Sequence, residues 1–189
     1  EVTTALLVAA TLWGNYGPLE YWVLGTEEQA GQALTDLFCS RRNKRGQFEK
    51  ARCLQEQNNE GYGFEYYRKI GAEAIASGKP KHDAGHNGKR SWGIHFYTSS
   101  LPVGLSDKFK VPGAEEQKTI FHEYFHAVQH SYIKTTIHYK QYNLLNPIWF
   151  NEGSAEYMAF VGLLNVYQSG VLEEVNMEGK QPFNPLEYM

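Results

Sequence analysis

The chain has 189 residues, 42% hydrophobic and 21% charged, with a formal net charge of −3. That apolar fraction excludes a wholly disordered chain, and the length suits one domain, expected over residues 1–189. The slight acidic excess, 21 Asp and Glu against 18 Lys and Arg, argues against a general nucleic-acid binder.

From the start of the chain, Ala5 to Trp13 is too short and too weakly flanked for a membrane span or a signal peptide. Its Thr, Val and Leu content predicts a buried strand. Since the chain opens on Glu1 rather than Met, a mature fragment or excised domain of a longer protein is expected. Gly14 to Pro18 reads as a turn and Leu19 to Leu24 as a second strand, rich in Tyr21, Trp22 and Val23. Thr26-Glu27-Glu28-Gln29 fits a capping box, and Ala30, Ala33, Leu34, Leu37 and Phe38 follow with helical spacing. Cys39 and Cys53 then bracket the basic run Ser40 to Gly46, read as a solvated loop. Either a disulfide staples that loop, as suits an exported protein, or the two are ordinary buried thiols.

Phe64 to Ala76 predicts a helix ended by Gly78 and Pro80, and the polar, Gly-rich stretch to Ser91 an exposed, mobile loop. Trp92 to Ser99 alternates as a strand does. That strand is either a sheet edge that could accept an extended peptide or a purely structural element. After a loop over Pro102 to Gly113, a helix is expected from Ala114 to about Tyr132, with Glu115 and Glu116 in the first turn where the helix dipole favours acids. A further loop leads to Pro147, and a last helix covers about Ile148 to Tyr167.

The first of those two helices carries His122-Glu123-Tyr124-Phe125-His126. Residues four apart share a helix face, so both imidazoles can converge on one Zn²⁺ with Glu123 beside the bound water. Such a pair needs a third ligand. A histidine at 132 after a glycine at 129 is ruled out by Gln129 and Tyr132. No downstream aspartate exists, because the last Asp is Asp107, and neither cysteine lies near a matching motif. His130 would have to reach back along its own helix. Glu152, in Trp149-Phe150-Asn151-Glu152-Gly153-Ser154-Ala155-Glu156-Tyr157, completes a His₂Glu set with an open fourth position. Glu156, one turn on, is placed to accept the second ring N–H of a ligand histidine. The apolar Trp149, Phe150, Ala155, Tyr157 and Phe160 around these glutamates argue against full solvation.

His122-Glu-x-x-His126 followed by Asn151-Glu152-Gly153 resembles the gluzincin zinc peptidases, the group of thermolysin, bacterial collagenases and the aminopeptidase N family. The likeness spans roughly residues 92–160. It implies an α+β, zincin-like core in which a small mixed β-sheet packs on the active-site helix and a following third-ligand helix. It further implies His122, His126 and Glu152 as zinc ligands, Glu123 as general base and Glu156 as the carboxylate behind a ligand. The aminopeptidase strand that grips a free amine is missing near Trp92 to Phe96, so an endopeptidase acting on peptide or protein is expected rather than an aminopeptidase. Tyr157, Tyr167 and His138 remain alternatives for an oxyanion donor, and only 37 residues follow Glu152. The rival expectation is a non-catalytic, peptidase-like zinc-binding module, and a hydrolase of non-peptide amides is a third. An exported location follows from the cysteine pair together with the family tendency.

Overall fold

The computed structural model describes residues 2–15, 19–44, 46, 49–59, 63–79, 84–86, 95–99, 113–132 and 147–169. In chain order its elements are α1 (Val2–Trp13), β1 (Leu19–Val23), α2 (Ala30–Lys44), α3 (Lys50–Asn59), α4 (Phe64–Ser77), β2 (Ala84–His86), β3 (His95–Ser99), α5 (Gly113–Ser131) and α6 (Ile148–Gln168). They belong to two compact units, one formed by Glu1–Tyr16 with Ser106–Met189 and the other by Gly17–Leu105. Among the described residues no helix is long and apolar enough to cross a membrane.

The first unit is helical throughout its described residues, with α1 and α6 both packed on α5. On α5 the buried positions are Gln117, Ile120, Phe121, Tyr124, Ala127 and Val128, a stripe at helical spacing. On α6 they are Ala155, Ala159, Gly162, Leu163 and Val166. Small residues let the two helices approach closely: a Cβ on Gly162 would meet the Phe121 ring at 2.7 Å. The segment Ala5 to Trp13, expected as a strand, is part of α1. Its decisive pattern is Ala5 and Ala9, both buried, with Trp13 a further turn on. Small side chains at that spacing seat a helix face, and this outweighs the strand preference of the neighbouring Thr and Val residues. Trp13 meets the rings of Phe121 and Phe125 edge-on at 5.9 and 5.5 Å. At the end of α1, Gly14 turns the chain with φ 99°, and its carbonyl accepts the Tyr124 hydroxyl at 2.6 Å.

The second unit holds a three-stranded sheet in the order β1-β3-β2, with β1 parallel to β3 and β2 antiparallel to it. Leu19 pairs with His95 and Val23 with Ser99. A parallel pair needs a long crossover, and α2, α3 and α4 lie between β1 and β3 in the chain. Trp22, Leu24, Phe38, Cys39, Cys53, Phe64 and Tyr67 form the core of this unit. The Trp22, Phe38 and Phe64 rings stand 5.5–6.0 Å apart, edge-on or tilted, as aromatic quadrupoles favour.

Several expectations change here. The α+β zincin-like core is overturned: helices carry most of the described residues, and the unit bearing His122, His126 and Glu152 contains no strand among them. Where a sheet was expected against the active-site helix, α1 and α6 pack instead. The strand from Trp92, described over His95–Ser99, lies between β1 and β2 among the described residues rather than at an edge, which favours the structural alternative. The stretch read as loop from Gly78 to Ser91 contains β2; its other residues from 80 onward lie outside the described residues, as do 102–112 and 133–146. On α2 the buried face is Gly31, Thr35, Phe38, Cys39 and Arg42, with Leu37 left exposed.

The basic run after Cys39 is not a solvated loop. Ser40 to Lys44 completes α2, and Arg42 is buried there, its guanidinium on the Glu20 carboxylate at 2.5 Å and over the Phe38 ring. Cys39 and Cys53 do form a disulfide, and it ties α2 to the unforeseen α3. The α4 expectation holds closely: the helix ends at Ser77, and Gly78 takes the left-handed conformation at φ 63°.

Candidate metal centre

His122 and His126 project from α5 one turn apart, beside its buried stripe, and Glu152 and Glu156 stand one turn apart on α6. The two helices bring three of these side chains to one point. His122 Nε2 lies 3.2 Å from His126 Nε2 and 3.3 Å from a carboxylate oxygen of Glu152. His126 Nε2 is 3.5 Å from the same oxygen. Among the described residues this is the group of histidine, cysteine and carboxylate side chains able to hold a metal ion.

Those separations can be compared with coordination geometry. A tetrahedral zinc with ligands at about 2.0–2.1 Å has ligand–ligand edges of about 3.3–3.4 Å. The three observed edges, 3.2, 3.3 and 3.5 Å, bracket that value. His126 is 9% exposed, whereas the Glu152 side chain is 51% exposed, so the cluster is closed on the α5 side and open on the α6 side. Glu152 and Glu156 are accordingly not fully solvated, at 51% and 43% side-chain exposure, though Trp149, Phe150 and Tyr157 are themselves exposed. An open side is what a catalytic site needs for water and substrate.

The electrostatics follow from this convergence. Glu152 is held down to about 2, chiefly by its hydrogen bond with His126 and with help from the charge of both histidines. Burial works against a charged His126 ring, but the Glu152 bond, the Glu123 charge and the Gln129 amide outweigh it and raise its pKa. Burial likewise opposes ionisation of Glu156, yet Lys118 and His122 outweigh that penalty and hold its carboxyl below the ordinary value.

Each of the two histidines has a partner on its other ring nitrogen. His122 Nδ1 is 3.1 Å from a Glu156 oxygen, and Lys118 Nζ donates to the other Glu156 oxygen at 2.8 Å. The His122–Glu156 contact is the one that the expected role of Glu156 requires. His126 Nδ1 is 2.7 Å from the Gln129 amide oxygen. Neither Lys118 nor Gln129 was singled out as a partner from the sequence, though Lys118 stands four before His122 and Gln129 three after His126, spacings that share a helix face. Glu123 is half-buried on α5, where its charge acts on His126. His130 stays outside the three-residue group. Of the alternatives for an oxyanion donor, Tyr157 and Tyr167 are exposed and His138 lies outside the described residues.

No family model matches this chain, and no curated protein or solved structure does either.

Proposed function

We propose that the chain is a zinc-dependent hydrolase of peptide bonds, of the gluzincin type by its ligand motif, with His122, His126 and Glu152 as the metal ligands. One observation carries this reading: three ligand atoms from two helices converge at separations matching the edges of a zinc tetrahedron. Bound there, zinc would supply a water acidified toward neutral pH and a Lewis acid for the scissile carbonyl. Glu123 takes a proton from the attacking water as its oxygen bonds to the carbonyl carbon. It then passes that proton to the amine nitrogen as the C–N bond breaks. Glu156 and Gln129 hold the two imidazoles in place through their Nδ1 atoms. The exposed side of Glu152 leaves the cluster open to water and substrate, and the missing amine-gripping strand favours an endopeptidase over an aminopeptidase. The Cys39–Cys53 disulfide favours an exported setting.

Glu123→Gln decides the mechanism. This variant and the wild type should each bind one zinc per chain, and the variant should lose about 10²–10⁴-fold of the hydrolysis of a broad peptide library. Retained hydrolysis overturns the role of Glu123, and folded wild-type protein that takes up no zinc overturns the site. Wild-type protein that binds zinc but cleaves nothing would turn the reading to a recognition module.

A further inference from the structure

We propose that Gln129 is a positioning residue for His126, fixing the tautomer and orientation that turn its Nε2 lone pair toward the metal; this rests on the zinc reading above. Gln129 lies one turn beyond His126 on α5, with its amide oxygen 2.7 Å from His126 Nδ1. Its amide nitrogen is 2.8 Å from the Asn151 carbonyl oxygen and 2.8 Å from Ser154 Oγ. A backbone carbonyl can only accept, so the NH₂ end of the amide must face Asn151. The oxygen end therefore faces His126. An amide oxygen also only accepts, so Nδ1 carries the proton and Nε2 keeps its lone pair. One fixed acceptor on α6 thus decides, through the Gln129 amide, which nitrogen of His126 is free to bind.

The same side chain acts at a second place. Asn151 immediately precedes Glu152, so the bond to its carbonyl ties the backbone of the third ligand to the second ligand. His122 is backed differently, by the Glu156 carboxylate and the Lys118 ammonium. The two histidines therefore have one charged and one neutral support. Because His126 is 9% exposed, water has little room to replace the amide there.

The test uses Gln129→Leu, Gln129→Glu and Ser154→Ala in the full chain. Zinc affinity is read by chelator competition, and the His126 tautomer by nitrogen NMR on zinc-free protein at alkaline pH. Gln129→Leu should weaken zinc binding about 10–100-fold and release the ring toward the Nε2–H tautomer. Gln129→Glu keeps the acceptor on Nδ1 while losing both donors to α6, and should return affinity to within a few-fold of wild type. Ser154→Ala removes one of the two acceptors for the amide but leaves the Asn151 carbonyl, so it should keep the Nδ1–H tautomer and weaken zinc binding no more than a few-fold. A Gln129→Glu as weak as Gln129→Leu would mean the helix tie matters rather than the tautomer, and would overturn the proposal. So would a Gln129→Leu that binds zinc like the wild type with the Nδ1–H form intact. A wild type that takes no zinc overturns the zinc reading alone, because the tautomer comparison still decides whether Gln129 holds His126.

Discussion

In the unit formed by Gly17–Leu105, a buried guanidinium, Arg42, meets a carboxylate, Glu20, whose other oxygen pairs with Arg41 at 2.8 Å. In the other unit two imidazole nitrogens and a carboxylate oxygen face one another at 3.2–3.5 Å. Both are polar groups gathered beside an apolar core, but the first pairs cations with an anion, and the second gathers three atoms that can each offer a lone pair to one cation. Opposite charges complete each other. Such atoms at that distance are held together by shared protons, as in the His126–Glu152 hydrogen bond, or by a metal cation. The difference separates a cluster whose charges offset each other from one whose three lone-pair atoms could hold a metal ion.

The strongest way to break the comparison is to make the first cluster incomplete. Glu20→Ala leaves Arg42 buried without its carboxylate, and removing one partner of a buried pair costs about 3–5 kcal/mol. Urea unfolding should show that loss equally in zinc and in chelator, because zinc linkage adds the same increment to both proteins. Replacing both partners together, Glu20→Leu with Arg42→Met, should recover most of it. If Glu20→Ala is near neutral, the pair does not hold the fold.

The disulfide is the next largest support in that unit. Cys39 and Cys53 are 14 apart and nearly fully buried, and a loop of about 15 residues gives about 3 kcal/mol in the chain-entropy model. Cys39→Ala with Cys53→Ala should lower the unfolding free energy by that amount, read from urea unfolding. A change under 1 kcal/mol would mean that packing alone keeps α3 on α2.

Two glycines of α6 sharpen the comparison on the metal side. At Gly162 a new Cβ would press on the fully buried Phe121, next to His122, with ring atoms at 2.7 and 2.8 Å. Gly162→Ala should cost about 1–3 kcal/mol by overpacking. It should also weaken zinc binding, since the ligand helices must part. At Gly153 a Cβ meets nothing within 4 Å, although the residue adjoins Glu152. Gly153→Ala should therefore stabilise α6 by about 0.5–1 kcal/mol through helix propensity. Equal effects at the two positions would mean that the α5–α6 approach is looser than these distances state.

What could be read from the chain, and what could not, follows the same division. Helices α4, α5 and α6 are legible because apolar stripes are local signals, and Gly78 with Pro80 marks the stop of α4 within a residue. The convergence of Glu152 with the histidine pair was legible through spacing and the elimination of other ligands. The zincin-like sheet was not, since a resemblance confined to ligand motifs carries no information about what packs behind them. Helix α1 was misread because Val and Thr signal strands more loudly than Ala5 and Ala9 signal a close-packed helix face. Helix α3 has almost no apolar stripe of its own; Cys53 is buried and Leu54 partly so, and the disulfide supplies what periodicity does not. Arg42 and Gln129 act through residues distant in the chain, Glu20 and Asn151, and no local pattern announces such partners.

The smallest expected effect tests whether exposure, rather than ion pairing itself, sets the size of these contributions. Glu65 pairs with Arg68 one turn on, at 2.7 Å, but its side chain is 44% exposed. The Arg68 hydrogen bond holds the Glu65 carboxyl below its ordinary value of 4.5. The folded chain thus keeps this carboxylate ionised at a pH where the unfolded chain has begun to protonate. Its contribution is present above pH 4.5 and is lost as pH falls through the lowered folded value. Solvent screening at such exposure limits it to about 0.2–0.5 kcal/mol. Glu65→Gln should flatten the acid side of the stability curve by that much and leave neutral stability within about 0.5 kcal/mol of wild type. An acid-side loss as large as that of Glu20→Ala would show that burial is not what distinguishes the two pairs, and the contrast between complete and incomplete clusters would then have to rest on charge alone.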